Sequence, residues 1–171
     1  MKGYVHVYTG DGKGKTTAAL GLALRAAGAE LKVFIAQFIK SGDYSEIRAI
    51  RRFSDLITVE QYGHGRFIEG KPSDEDIRAA AKGVERLKSI LASGAYTVVI
   101  IDEGNVAVRY GLVTLEDLLD LIRLKPDDVE LVITGRDAGP ELIERADLVT
   151  EMKEIKHYYR KGVSARVGIE K

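Results

Sequence analysis

Apolar positions along the chain gather into six short runs, separated by stretches whose apolar residues recur at helical spacing. Residues 4–8, Tyr4-Val5-His6-Val7-Tyr8, alternate in the manner of a half-buried strand. Further strand-like runs cover 31–38, 56–61, 96–101, 129–134 and 148–152. The run 96–101 is continuously apolar, as expected of a strand covered on both faces. Between these runs the spacing predicts helices. The first spans 15–27, rich in Ala and Leu, with Gly28 as its stop. A short one covers 45–53. A long one starts at Ser73, with Asp74, Glu75 and Asp76 set against the helix dipole, and ends near Gly94. Its stripe is Ile77, Ala80, Ala81, Val84, Leu87, Lys88 and Leu91, best read as core packing. Residues 105–110, 114–124 and 140–146 complete the set, the second opening with a capping-box pattern at Thr114 and Asp117. The tail, 155–169, reads as a terminal hairpin turning at Lys161-Gly162. Alternating strands and helices predict one α/β domain over residues 1–171, three layers thick, with a mostly parallel central sheet.

Composition removes several classes of chemistry. There are no cysteines, which excludes disulfides, thiolate metal sites and thiol nucleophiles. The 26 basic and 26 acidic residues balance, which argues against a general nucleic-acid coat. No apolar run is long enough to span a membrane, and with the first strand beginning almost at Met1 no signal peptide is expected. The expected compartment is the cytoplasm.

One stretch carries specific chemistry. Thr9-Gly10-Asp11-Gly12-Lys13-Gly14-Lys15-Thr16-Thr17 lies between the first strand and the first helix. Strand, glycine-rich turn, Gly-Lys-Thr and helix form a phosphate-binding loop. Glycines let successive backbone N–H groups turn inward, and the helix N-terminus favours an anion. Lys15 can reach phosphate oxygens, and the Thr16 hydroxyl is placed to ligate Mg²⁺. The usual pattern wants glycine five residues before Gly14, where this chain has Thr9. The continuous strand 96–101 ends in Asp102-Glu103, carboxylates suited to hold Mg²⁺ or its waters in the second half of such a site. Together these predict a P-loop NTPase-like (RecA-like) fold that binds a nucleotide. The connection 62–72 contains three glycines and a proline, a length and composition typical of lids and binding loops.

Several stretches in order carry a resemblance: residues 10–24, Phe38-Ile39-Lys40, 98–105, Thr134-Gly135-Arg136 through Met152, Ile155-Lys156-His157, and 162–170. Together they resemble the ATP:corrinoid adenosyltransferases, over nearly the whole chain. The resemblance implies attack of a Co(I) corrinoid on C5′ of ATP held in the reverse direction to most P-loop enzymes, with tripolyphosphate leaving. It further implies that Lys13, Lys15, the loop amides and Mg²⁺ or Mn²⁺ on Thr16 and Glu103 neutralise the leaving group, and that Arg136 contacts the triphosphate. A homodimer and a reduced flavoprotein as reductant are also implied. Several members have Gly-x-Gly-Phe-x-Trp after the third strand, with aromatics against the corrin. Here Gly63-His64-Gly65-Arg66-Phe67 places Arg66 at the aromatic position, and the chain has no tryptophan. His64 is ranked as a loop polar group, since ligating cobalt would oppose its reduction. His157 matches the family, with a structural hydrogen bond or a place near the nucleotide as its two readings. His6 is read as sheet surface or core.

Two other readings stay open at this level. One is a P-loop kinase or NTPase acting at the γ-phosphate, for which Asp102 could serve as base. The other is a nucleotide-gated corrinoid-binding module without turnover.

Overall fold

The computed structural model describes residues 1–65 and 70–170. Six strands form one sheet: β1 (Val5–Thr9), β2 (Val33–Gln37), β3 (Ile57–Gln61), β4 (Val98–Asp102), β5 (Glu130–Thr134) and β6 (Leu148–Glu151). Their order is β3-β2-β4-β5-β1-β6. Every pairing is parallel, with Ile35 opposite Ile100 and Val7 opposite Ile133 and Val149. The sheet is therefore wholly parallel among the described residues, a stricter arrangement than the mostly parallel one expected. Parallel neighbours need crossovers, and the six helices supply them: α1 (Lys15–Ala27), α2 (Ser45–Ile50), α3 (Asp74–Ala92), α4 (Gly104–Arg109), α5 (Leu115–Leu124) and α6 (Pro140–Arg145).

The sheet is covered on both faces, which explains why β2 and β4 are buried at every position. On one face α1 and α2 pack Ala19, Leu20, Ala23 and Ile50 against Val33, Ile35, Ile57, Ile100 and Val132. On the other, Val84, Leu87 and Leu91 of α3, Leu118 and Leu121 of α5 and Leu142 of α6 cover Val7, Phe34, Ile101 and Ile133. Each such side chain, fully buried, contributes about 1.5–3 kcal/mol. This is the three-layer P-loop NTPase-like α/β fold that the alternation of elements predicted. Strand β5 separates β1 from β4, so the loop strand and the carboxylate strand are not neighbours, and the end of β5 stands between them.

Helix starts follow the predicted chemistry. Ser73 and Asp76 form a reciprocal capping box at α3, as do Thr114 and Asp117 at α5. Three details differ from expectation. Gly28 follows α1 but keeps right-handed φ of −64°, and the left-handed residue in this turn is Glu30, at φ +61°. Ile77 of the predicted stripe remains 40% exposed, because α3 lies on the sheet only from Ala80 onward. The terminal hairpin does not form. The tail makes a single 3₁₀ turn, Tyr158–Lys161, then Gly162 at φ +79° and Gly168 at φ +77° turn the chain back toward the loop. Ionic contacts of Glu170 hold that path, where a hairpin would need strand pairing along 163–169.

Candidate functional site

The loop between β1 and α1 is shaped by close backbone approach. Thr9 ends β1 buried, and its hydroxyl accepts the Ala138 N–H at 3.2 Å, so the residue standing in place of the usual glycine ties the loop to the segment after β5. A Cβ on Gly10 or Gly12 would lie 2.5 or 2.6 Å from the Met152 carbonyl oxygen. Gly12 donates its N–H to that oxygen at 2.6 Å. Gly10 and Gly14 also take φ of +92° and +123°, which glycine adopts without a side-chain clash. The loop thus lies flat on the residue following β6. Lys15 opens α1, and its ammonium donates to the Gly10 and Gly12 carbonyls at 2.6 and 2.7 Å. Burial, reinforced by the nearby Arg136, lowers its pKa.

The strand ends converge on Asp102, which is 0% exposed. Its Oδ1 accepts from the Thr16 and Thr134 hydroxyls, each at 2.8 Å. Its Oδ2 accepts from Gln37 Nε2 at 3.0 Å and faces the Lys40 ammonium at 3.6 Å. Gln37 is in turn held by Gln61 Nε2 at 2.9 Å, so β2, β3, β4 and β5 all contribute to holding one carboxylate. Glu103 follows in the left-handed region at φ +60°, its N–H donating to Thr134 Oγ1 at 3.0 Å. Burial first, then the adjacent Asp102, raise the pKa of the Glu103 carboxyl, opposed by Lys40, Lys15 and Arg136.

Lys15, Thr16, Lys40 and Glu103 line one cleft of about 740 Å³, while Asp102 is buried and meets it through Thr16. Loop residues Asp11, Gly12, Lys13, Gly14, Lys15, Thr16 and Thr17 form its floor, Leu20, Gly21 and Leu24 of α1 one wall, and Lys40, Ser45, Glu46, Glu103 and Arg136 the rest of the body side. The tail closes the remaining edge with His157, Gly168, Ile169 and Glu170. Lys13 reaches across to it, donating to Tyr158 Oη at 3.1 Å, the Ile169 carbonyl at 2.9 Å and Glu170 Oε1 at 2.9 Å. Arg136 is half exposed, 3.7 Å from Asp11. The cleft therefore presents Lys13, Lys15, Lys40 and Arg136 beside the oxygens of Thr16 and Glu103, with the buried Asp102 bonded to Thr16.

Hydroxyl and carboxylate oxygens suit a hard cation such as Mg²⁺ or Mn²⁺, and Thr16 and Asp102 already meet at 2.8 Å. No group of three or more His, Cys, Asp or Glu is close enough to hold a metal among the described residues. Of the expected residues, Asp11 through Thr17, Glu103 and Arg136 line this cleft, whereas Thr9 and Gly10 do not, and Asp102 is buried and meets it only through its bond from Thr16. Among the carboxylates, it is Asp102 that bonds Thr16 directly, while Glu103 lines the cleft beside them.

His157 lines the cleft and accepts the Tyr159 N–H on Nδ1 at 3.0 Å. His64 is exposed on the loop after β3. His6 is half-buried, 2.5 Å from Glu130. Arg66 and Phe67, expected near a corrin, lie outside the described residues. Sequence reasoning did not single out Lys40, Gln37, Thr134, Tyr158 or Glu170 as site residues. Gln37 and Thr134 carried a usable signal, since each is a polar residue closing a buried apolar strand. No helix among the described residues is long and apolar enough to cross a membrane.

Comparison with known proteins agrees with this geometry. Residues 1–170 match the family described as ATP:corrinoid adenosyltransferase BtuR/CobO/CobP. A corrinoid adenosyltransferase of Pseudomonas aeruginosa is 35% identical over 170 residues, covering 99% of this chain and 84% of that protein. The corrinoid adenosyltransferase of Escherichia coli K12 is 32% identical over 169 residues, covering 99% and 86%. One from Salmonella typhimurium is 31% identical with the same coverage.

Proposed function

Because the chain belongs to the ATP:corrinoid adenosyltransferase family, we propose that it moves the 5′-deoxyadenosyl group of ATP onto the Co(I) centre of a reduced corrinoid and releases tripolyphosphate. In this step the cobalt electron pair forms the Co–C bond. The C5′–O bond breaks, and its electron pair leaves with the triphosphate oxygen. The metal of the substrate is the nucleophile, so the protein needs no nucleophilic side chain, in keeping with a chain that has no cysteine.

The observation that carries this reading is the crowding of cationic donors on one cleft beside a hydroxyl–carboxylate pair. A departing triphosphate gathers negative charge, and groups fixed to meet that charge lower the barrier without reorganising. Lys15 and the loop N–H groups bind the phosphates, Lys13 and Arg136 stand at the rim, and Thr16, Asp102 and Glu103 would hold Mg²⁺ or Mn²⁺. When bound, that ion supplies Lewis-acid neutralisation of phosphate oxygens. The buried bonds from Thr134 and Gln37 keep Asp102 oriented toward Thr16.

The corrinoids proposed are cob(I)yrinic acid a,c-diamide, cobinamide or cobalamin, with the reaction a step of adenosylcobalamin biosynthesis or salvage. The family resemblance further supports a homodimer fed by a reduced flavoprotein, and the cytoplasm is the compartment proposed from the sequence. The test is anaerobic: protein, Mg·ATP and chemically reduced cob(I)alamin are mixed and the corrinoid spectrum is followed. A light-sensitive adenosylated corrinoid is expected, and an unchanged corrinoid would overturn the proposal.

A further inference from the structure

Lys40 lies three residues beyond the end of β2, in a segment fixed from both sides. Phe38 donates its N–H to the Asp102 carbonyl at 3.2 Å. Gly63 packs so closely on Ile39 that a Cβ there would stand 2.3 Å from the Ile39 carbonyl oxygen. From this anchored backbone the Lys40 side chain, 27% exposed, carries its ammonium to 3.2 Å from Thr16 Oγ1 and 3.6 Å from Asp102 Oδ2. The Thr16 hydroxyl spends its one proton on Asp102, so it accepts from Lys40. The other partners of Asp102, namely Thr16, Thr134 and Gln37, are neutral. Lys40 therefore supplies the full positive charge beside a fully buried carboxylate, which would otherwise be costly to bury.

A divalent cation bound by Thr16 and Asp102 would need the oxygen lone pairs that now face this ammonium. The two cations repel at such distances and cannot share the pair. A lysine is suited to yield, since its charge rides on a flexible four-carbon stem with three rotatable donors. The same cleft, which Lys40 lines, is where the oxygens of a bound polyphosphate would lie against the loop.

We propose that Lys40 is a mobile counter-ion: it neutralises Asp102 in the absence of metal and moves onto the triphosphate when the metal nucleotide enters. In that second position it contacts the substrate and stabilises the leaving group. This second role rests on the adenosyl-transfer reading, while the competition with metal does not.

The test compares wild type with Lys40→Met, which keeps length and removes charge, and Lys40→Gln, which leaves a donor for Asp102 should the methionine variant fail to fold. Mn²⁺ is titrated by electron paramagnetic resonance without nucleotide, and adenosyl transfer is then timed in a single turnover. The uncharged variants should bind Mn²⁺ at least about tenfold more tightly, because a competing charge has gone. They should transfer the adenosyl group at least about tenfold more slowly. Mn²⁺ affinity equal to or weaker than wild type would overturn the competition, and an unchanged transfer rate would overturn the role on the leaving group. A wild-type protein that shows the metal competition yet fails to adenosylate reduced corrinoid would sink the transferase reading alone.

Discussion

At the Asp102 end of the cleft, a fully buried carboxylate at the end of β4 is held by side chains from the ends of β2 and β5 and the first turn of α1, with Gln61 of β3 behind Gln37. At the Lys13 end, an exposed lysine is clasped by a tail that touches it through Tyr158, Ile169 and Glu170. Both ends are polar and both concern the same loop, yet their physics differs. The buried cluster works in low dielectric, where each donor is strong and each loss leaves an unsatisfied group. The tail contact sits in water, where ion pairs are weakened by salt and by side-chain freedom. The comparison teaches which end should set catalysis and fold stability, and which should act as an adjustable edge.

The largest expected effect tests the floor that joins the two ends. Lys15→Ala should reduce adenosyl transfer by about 100-fold or more, as loss of a preorganised donor to developing charge does. Its melting temperature should stay near wild type, and a rate within a few-fold of wild type would break the account of the loop. Next, Asp102→Asn turns an acceptor of several donors into a group that places its own N–H₂ against them. About 1–3 kcal/mol of stability should be lost in denaturant titration, together with a large loss of metal-dependent activity. A third variant, Gly12→Ala, drives a Cβ into the Met152 carbonyl and should cost about 1–3 kcal/mol by displacing the loop. A neutral effect on both stability and nucleotide affinity would mean that the loop is not seated on Met152 in solution.

The smallest effects belong to the tail. Glu170→Gln should leave thermal unfolding of the body unchanged but speed proteolytic cleavage within 153–170, and about 1 M salt should do the same to wild type. Its pH dependence has a definite sign. Hydrogen bonds from Arg166 first, then Tyr158, hold the Glu170 carboxyl well below the usual carboxylate range. A carboxylate with a depressed pKa in the folded protein favours the attached tail above its ordinary titration range and loses that favour only as pH falls through the depressed value. Cleavage rates, corrected for protease activity, should therefore be flat from about pH 8 to about pH 5. A rise across that interval would show that Glu170 does not hold the tail.

Legibility in the sequence followed the same division. The strands, the capping boxes at Ser73 and Thr114 and the phosphate loop were readable because local pattern and tertiary role agree there: the apolar run before Asp102 is buried because helices cover it on both faces. The polar strand ends Gln37 and Thr134 carried a signal as polar residues closing apolar runs, but that they meet Asp102 is decided by parallel register, which the local pattern does not give. Lys40 was visible as part of a motif, but its meeting with Thr16 depends on residues 24 positions apart. The tail was misread as a hairpin because Lys161-Gly162 is a good local turn signal. The contacts that win, from Glu170 and Tyr158 to Lys13, span the length of the chain and leave no local trace.

The most direct test of the central claim is the phosphate product of one anaerobic turnover with reduced cob(I)alamin, identified by phosphorus-31 NMR. Charge assembled for a departing triphosphate predicts tripolyphosphate, one per adenosylated corrinoid. ADP with an unchanged corrinoid would contradict it and make the cleft a site of γ-phosphoryl transfer.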